Sequence, residues 1–249
     1  MSAMPPHEET PLELTIDRRQ PRAAQLYDGL RSAILDLRLK PGTPISENRI
    51  CQLTNVSRTP AREAIIRLAQ EGLIDVFPQH GSFVAPIRLK KVIEGHFVRE
   101  ALEIALLKRA AERWQARDAA AVEAIIAAQR ALAAAGDHRA FYAEDERFHR
   151  SFAKIADMEG VSSIINDANT HLARVRQLAN PLSGHMEAAI ADHEAVLDAL
   201  KANDVEGAAR AMCRHLDQVF DTVKRLVRHH RDFFDDALQS EMVRFAAHP

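Results

Sequence analysis

The sequence predicts a mostly α-helical protein in two parts: an N-terminal winged helix-turn-helix with a small β-hairpin wing, and a C-terminal antiparallel all-α bundle of six or seven helices. Three observations carry this. Residues 45–85 read as two short helices parted by Thr54-Asn55, then two strand-like segments around a turn. From Leu89 onward every segment reads as helix, with Gly136-Asp137, Gly160, Pro181 and Asn203-Asp204 as breaks. Hydrophobic residues make up 47% but aromatics only 5%, so Ala, Leu, Ile and Val carry the core, a composition that favours helices.

Residues 1–20 hold Pro5, Pro6 and Pro11 with mixed charge and little periodicity, and are expected to form a disordered tail. A first helix is expected from about Arg22 to Leu37, with Leu26, Leu30, Ile34 and Leu37 on one face, ending before Pro41-Gly42. Ser46 suits the N-cap of a short helix carrying Ile50 and Leu53 on one side. Asn55 tolerates the left-handed turn that follows. A second helix starts near Ser57 with Pro60 in its first turn, where the missing N–H costs little. Ala61, Ala64, Ile65 and Leu68 form its buried stripe; Arg58 and Arg62 lie off that stripe near the helix start, where a recognition helix meets base edges and phosphates. Gly72 ends it. Ile74–Phe77 and Ser82–Ala85 flank the Pro78–Gly81 turn as a wing, and Pro86-Ile87-Arg88 is a short linker.

The run Ser57-Arg58-Thr59-Pro60-Ala61-Arg62-Glu63-Ala64, with Leu68 and Glu71-Gly72-Leu73-Ile74 in register, resembles the signature of the GntR family of bacterial winged-helix regulators. Pro41-Gly42 upstream and Gly81-Ser82-Phe83-Val84 at the wing match as well. Two positions depart from the pattern: the family usually has Gly where Leu37 and Asn55 stand, which leaves the end of the first helix without its expected cap. On this reading Arg49, Arg58, Thr59 and Arg62 contact double-stranded DNA, and His80 and Gly81 of the wing reach an adjacent groove. A homodimer on a palindromic operator is expected, because one helix-turn-helix reads few bases.

The formal charge of −2 hides an asymmetry. Residues 21–90 hold ten Lys/Arg against six Asp/Glu, a net +4; with the acidic first twenty set aside, residues 91–249 carry −4. A basic reader on a mildly acidic body suits a nucleic-acid-binding domain with an appended sensor. Cys51 and Cys213 are the two cysteines, too few for a disulfide framework or thiolate metal site, and point to a reducing cytoplasm. No apolar run approaches the ~20 residues of a membrane span, and no signal peptide is expected.

In the second half, helices are expected near 89–115, 118–135, 138–157, 160–179, 185–202 and 204–230, with a weaker one near 232–245. Short connections imply antiparallel neighbours. A winged helix followed by such a bundle resembles the FadR subfamily of GntR regulators, whose C-terminal part is the FCD ligand-binding domain; the resemblance covers roughly residues 21–230. The implied organisation is a DNA-binding domain over 21–86, an effector domain over 89–231 and a C-terminal extension over 232–249.

Four polar residues sit where the helical pattern calls for apolar ones. Asp145 and His149 are i and i+4, beside Phe141, Phe148 and Phe152. His193 falls among Ile190, Leu197 and Leu200, and His215 among Met212, Leu216 and Val219. If the chain reverses near Asn203, both histidines lie ~15–18 Å from the turn on adjacent helices. Buried imidazoles and a carboxylate converging in a bundle need partners, and a divalent cation satisfies them together. The donor set permits zinc, the first expectation, as well as nickel or manganese. The spacing resembles the metal-binding subset of FCD domains, which implies open metal positions for a small carboxylate effector. The resemblance also implies an effector-holding role for Arg99, beside which Gly95 leaves space, the competing role being a surface pair with Glu103 one turn on. Asn169, Arg174 and Arg176 are further candidates. His171, His229 and His230 are left as surface or structural residues. The expected function is a transcriptional regulator, a repressor, controlled by an organic acid. A metal-dependent hydrolase on the same Asp/His cluster is the alternative from another class, and the same regulator with a pocket for a hydrophobic ligand is a third reading.

Overall fold

Leu26, Leu30, Ala33 and Ile34 turn one face of helix α1 (Arg22–Leu35) fully inward. The computed structural model describes residues 14–17, 19–179 and 184–235. Beyond α1, Leu37 adopts φ 58°, the left-handed conformation a glycine would take without strain. It does so because the next residues fold back: Leu39 N–H donates to the Ala33 carbonyl at 2.9 Å, and the Leu39 side chain is buried. Leu37 itself therefore lies past the helix rather than on its buried face.

A short strand β1 (Pro44–Ile45) leads into α2 (Glu47–Thr54), capped by the Ser46 hydroxyl, which accepts from Arg49 N–H at 3.1 Å. Ile50 is buried but Leu53 is 45% exposed, so the two do not share the core-facing side as expected. Asn55 takes the left-handed turn (φ 52°), and α3 (Arg58–Gln70) follows with Ala61, Ala64, Ile65 and Leu68 inward. Strands β2 (Ile74–Phe77) and β3 (Gly81–Val84) pair antiparallel. The wing is more than the expected hairpin: β1 pairs with β3, giving a three-stranded sheet ordered β1-β3-β2. Leu14 and Ile16, placed by the sequence in the loose tail, pack against this same core.

The chain divides into two compact units. The first contains the elements above and also takes in the segment from His230: Ile87 N–H donates to the Phe233 carbonyl at 2.8 Å, and Asp235 N–H to the Ile87 carbonyl at 3.1 Å. A 3-10 turn occupies Arg231–Phe233; the rest of the helix expected near 232–245, from 236 on, lies outside the described residues.

The second unit contains α4 (Leu89–Ala111), α5 (Ala116–Ala135), α6 (His138–Ile155), α7 (Gly160–Ala168), α8 (Thr170–Ala179), α9 (His185–Lys201) and α10 (Val205–His229). The helix expected over 160–179 is thus two, parted at Asn169. That break lets the Ala168 carbonyl approach α4 at Gly95, where an added Cβ would stand 2.6 Å from the oxygen. Gly95 therefore accommodates backbone, not the Arg99 guanidinium as its position suggested. Asn203 reverses the chain in a left-handed conformation (φ 57°), and α10 returns along α9. The core holds Leu106 and Leu107 of α4, Ile125 and Ile126 of α5, Phe148 and Phe152 of α6, and Leu197 and Met212 of α9 and α10.

Candidate metal centre and nucleic-acid interface

Three imidazoles and one carboxylate meet inside the second unit. Asp145 and His149 come from α6, His193 from α9 and His215 from α10, all four buried. His193 Nε2 lies 3.3 Å from His215 Nε2, which lies 3.2 Å from His149 Nε2. Asp145 Oδ1 lies 3.5 Å from His193 Nε2 and its Oδ2 3.9 Å from His149 Nε2. One donor atom from each residue falls within 4.8 Å of all the others. The Phe148 ring stacks on His193 with centroids 3.7 Å apart, closing one side with apolar surface.

The donor set fits a divalent ion. Two ligands at metal–nitrogen distances of about 2.0–2.1 Å stand roughly 2.9–3.4 Å apart, which the imidazole spacings match. Of the outward-facing nitrogens one is hydrogen-bonded, and the other two face carboxylates without a well-formed bond. His193 Nδ1 donates to Gln129 Oε1 at 2.9 Å. His149 Nδ1 is 2.6 Å from Glu103 Oε2, a short but bent contact, and His215 Nδ1 is 3.6 Å from Asp192 Oδ2. Acceptors at Nδ1 leave the Nε2 lone pairs for the centre. Burial pushes the His193 and His215 imidazoles well below the ordinary histidine range, so both are neutral donors at physiological pH. Burial also pushes the Asp145 carboxyl up, against the pull of His149 and Arg99.

Arg99 is buried and its Nε donates to Glu103, also buried, one turn along α4. Burial alone would raise the Glu103 carboxyl, yet Arg99 and His149 together hold it at about 2. Arg99 thus makes the Glu103 pair, but in the interior and next to a cavity, not on the surface. Its Nη2 is buried without a hydrogen-bond partner, as is Asn169 Oδ1, and both residues line a cavity that also touches His149, Glu146 and Arg150. Arg174 is fully buried and lines neither this cavity nor a second one on the Asp145–His215 side. Arg176 lines that second cavity with Tyr142, His185 and Gln218, and pairs with Asp145 at 3.4 Å and Glu146 at 3.0 Å. Sequence reasoning missed Gln129 and treated Glu103 as surface. Gln129 carried the signal used for the four donors: it interrupts the stripe Val122, Ile125, Ile126 at helical spacing.

In the first unit, α3 presents Arg58, Thr59 and Arg62 on its exposed side, and Arg49 is exposed on α2. Arg62 Nε is 2.8 Å from Glu47 Oε1, a pair that joins the two helices. At the wing tip His80 and Gly81 are exposed, and His80 Nδ1 donates to the Pro78 carbonyl at 3.0 Å.

A helix-turn-helix with an exposed arginine-bearing second helix and a β-wing, followed by a helical domain with a buried polar centre, defines a DNA-binding transcriptional regulator with an appended sensor-type domain. The family is shown by sequence. Residues 22–84 match the model of the bacterial regulatory proteins of the gntR family, and residues 94–218 match the FCD domain. The chain is 32% identical over 225 residues to the HTH-type transcriptional repressor RspR of Escherichia coli K12, covering 90% of this chain and 99% of that one. An HTH-type transcriptional regulator of Streptomyces ambofaciens is 35% identical over 214 residues, 84% of this chain and 88% of its own. Among solved structures, E. coli McbR/YncC shares the fold with TM-score 0.68 at 19% identity, over 83% of this chain and 98% of that one. The chain belongs to the GntR family of transcriptional regulators, in its FCD-domain, FadR-type branch. The family is one of DNA-binding regulators and not of enzymes, which removes the hydrolase alternative. Among the described residues no helix is long and apolar enough to cross a membrane.

Proposed function

We propose that this regulator is a cytoplasmic, homodimeric repressor that holds a divalent metal ion at Asp145, His149, His193 and His215, and whose operator binding is controlled by a small carboxylate bound beside that ion. The observation that carries the reading is the convergence of three Nε2 atoms, 3.2–3.3 Å apart in successive pairs, with a carboxylate in a buried centre. When bound, the ion would supply positive charge and Lewis acidity toward an oxyanion next to it. The chain's own groups would then orient the ligand. Arg99 Nη2 offers an unused buried donor and Asn169 Oδ1 an unused acceptor in the cavity next to His149. An unpaired buried polar atom costs about 1–3 kcal/mol, so a ligand that satisfies both gains affinity from the site's own debt.

Arg58, Thr59 and Arg62 would enter a major groove, Arg49 would meet phosphate, and His80 and Gly81 would reach the adjacent groove. Zinc is the first choice of ion, nickel and manganese the others. Repression is supported by the relative named a transcriptional repressor. A homodimer is supported by the reach of the reader: one helix-turn-helix reads few bases, and two half-sites multiply specificity. The effector acts only through different affinities for DNA-competent and DNA-incompetent arrangements. The test is a thermal-shift screen of hydroxy-, keto- and dicarboxylic acids on metal-loaded protein. A hit that also weakens operator binding supports the reading; no stabilisation by any of them, in protein shown to contain metal, rejects the carboxylate.

A further inference from the structure

Helix α5 buries Val122, Ile125, Ile126 and Gln129 on one face, and Gln129 is 0% exposed. A primary amide in that stripe is costly unless both of its ends are satisfied. Only one is: Oε1 accepts from His193 Nδ1 at 2.9 Å, while Nε2 is buried without a partner. A leucine of similar length would complete the stripe and remove the unpaired Nε2, but it would leave the buried His193 Nδ1 without its acceptor. The one hydrogen bond the buried amide makes is to His193.

His193 has two ring nitrogens with opposite surroundings. Nδ1 faces Gln129, and Nε2 faces His215 at 3.3 Å and Asp145 at 3.5 Å. With the amide oxygen toward the ring, Nδ1 carries the proton and Nε2 turns a lone pair into the centre. With the amide reversed, its NH2 would donate to Nδ1, and Nε2 would carry a proton into the space between the histidines. These two protonation patterns exclude each other, and only the first leaves a donor for a cation. Phe148, stacked on the same ring, restrains its tilt but offers no hydrogen bond to choose between them.

We infer that Gln129 is a positioning residue for the metal centre: its side-chain oxygen fixes His193 as the Nδ1–H tautomer and thereby presents Nε2 to the ion. This rests on the metal reading of the four donors, and it adds a residue outside them. Gln129→Leu lowers Zn2+ affinity ten- to a hundredfold, the range typical of outer-shell partners of ligating histidines. It changes the melting temperature of metal-free protein little, because losing the unsatisfied amide N–H offsets stranding His193 Nδ1. Gln129→Glu, which keeps an acceptor at the same reach, restores the affinity.

The experiment has two arms. Competition of Zn2+ between full-length protein and a chromophoric chelator gives the affinity of wild type, Gln129→Leu and Gln129→Glu. Nitrogen-15 histidine spectra of metal-free protein give the His193 tautomer, without reference to any metal. The expected result is Nδ1–H in wild type and Gln129→Glu, a shift toward Nε2–H in Gln129→Leu, and the affinity pattern above. Wild-type Zn2+ affinity in Gln129→Leu overturns the inference, as does an Nε2–H tautomer in metal-free wild type. A wild type that takes up no Zn2+ while showing Nδ1–H overturns the metal reading and the role assigned to Gln129 with it, leaving only the hydrogen bond.

Discussion

His193 Nε2 and His215 Nε2 face each other at 3.3 Å across the α9–α10 pair, each turned inward where the helical repeat calls for an apolar side chain. Two neutral imidazole nitrogens at that distance need a proton or a cation between them, and His149 Nε2, 3.2 Å from His215, brings a third to the same point. The predictions below follow from this centre and from the reader it is attached to.

The first concerns DNA. Arg58→Ala should cost about 1–3 kcal/mol in operator binding if the side chain reads a base. Arg49→Ala, if the side chain meets only phosphate, should weaken specific and non-specific DNA alike and flatten the salt dependence. Glu47→Ala releases Arg62 from its 2.8 Å partner and removes a negative charge near the duplex, so it should tighten binding to any sequence. Titrations at two salt concentrations check all three. Unchanged affinity in a folded Arg58/Arg62 double alanine variant contradicts the assignment of α3.

The second concerns Arg99 and Glu103. Truncating one member of a buried ion pair strands the other, so Arg99→Ala should destabilise the fold by about 3–5 kcal/mol as well as blunt the effector response. Replacing both with apolar residues, Arg99→Met with Glu103→Leu, should cost clearly less than Arg99→Ala. Chemical denaturation of the three proteins separates structural loss from ligand loss; equal stability of wild type and Arg99→Ala contradicts the buried pair.

The third lies at Leu37. A non-glycine residue held at φ 58° carries strain of about 1–2 kcal/mol, partly offset because glycine has more freedom to lose on folding. Leu37→Gly should therefore raise stability by about 0.5–1 kcal/mol in denaturant titrations, and a loss of stability would show that the Leu37 side chain contributes more packing than its position suggests.

The fourth is a pH dependence. Burial, followed by the hydrogen bond to Glu71, pushes the Tyr27 phenol up to about 12 from 10.0. A raised phenol means the neutral form is favoured in the folded chain, so this contribution to stability is whole below pH 10 and is lost as pH rises through 12. Tyrosinate absorbance in an alkaline titration should begin to rise later in native than in denatured protein, and Glu71→Gln should bring Tyr27 back toward 10.

Most of the fold was legible because its signals are local. Ser46, Asn55 and Gly72 mark ends by their own chemistry, and the four polar intrusions into apolar stripes are the residues that converge. What was not legible depends on partners distant in sequence. Strand β1 exists because Pro44–Ile45 lies beside β3, a pairing that two residues of sequence cannot announce. The break at Asn169 reflects the approach of Ala168 to Gly95, seventy-three positions earlier in the chain. Glu103 looked like a surface partner of Arg99 because helical spacing reports the pair and not its burial. Gln129 obeys the rule that marks the histidines, a polar side chain within an apolar helical stripe.

The most direct test of the account is the metal content of the purified protein, measured by elemental analysis after incubation with Zn2+, Ni2+ or Mn2+ and removal of excess. About one equivalent of a single metal per chain is predicted, lost in His193→Ala and His215→Ala and retained in the control His229→Ala. Chelation should lower the melting temperature with helix content largely kept, since a ligand a thousandfold above its dissociation constant contributes about 4 kcal/mol. Less than about a tenth of an equivalent of any of these metals in well-folded protein would contradict the account, and would make Asp145, His149, His193 and His215 a buried hydrogen-bond network with no ion to organise it.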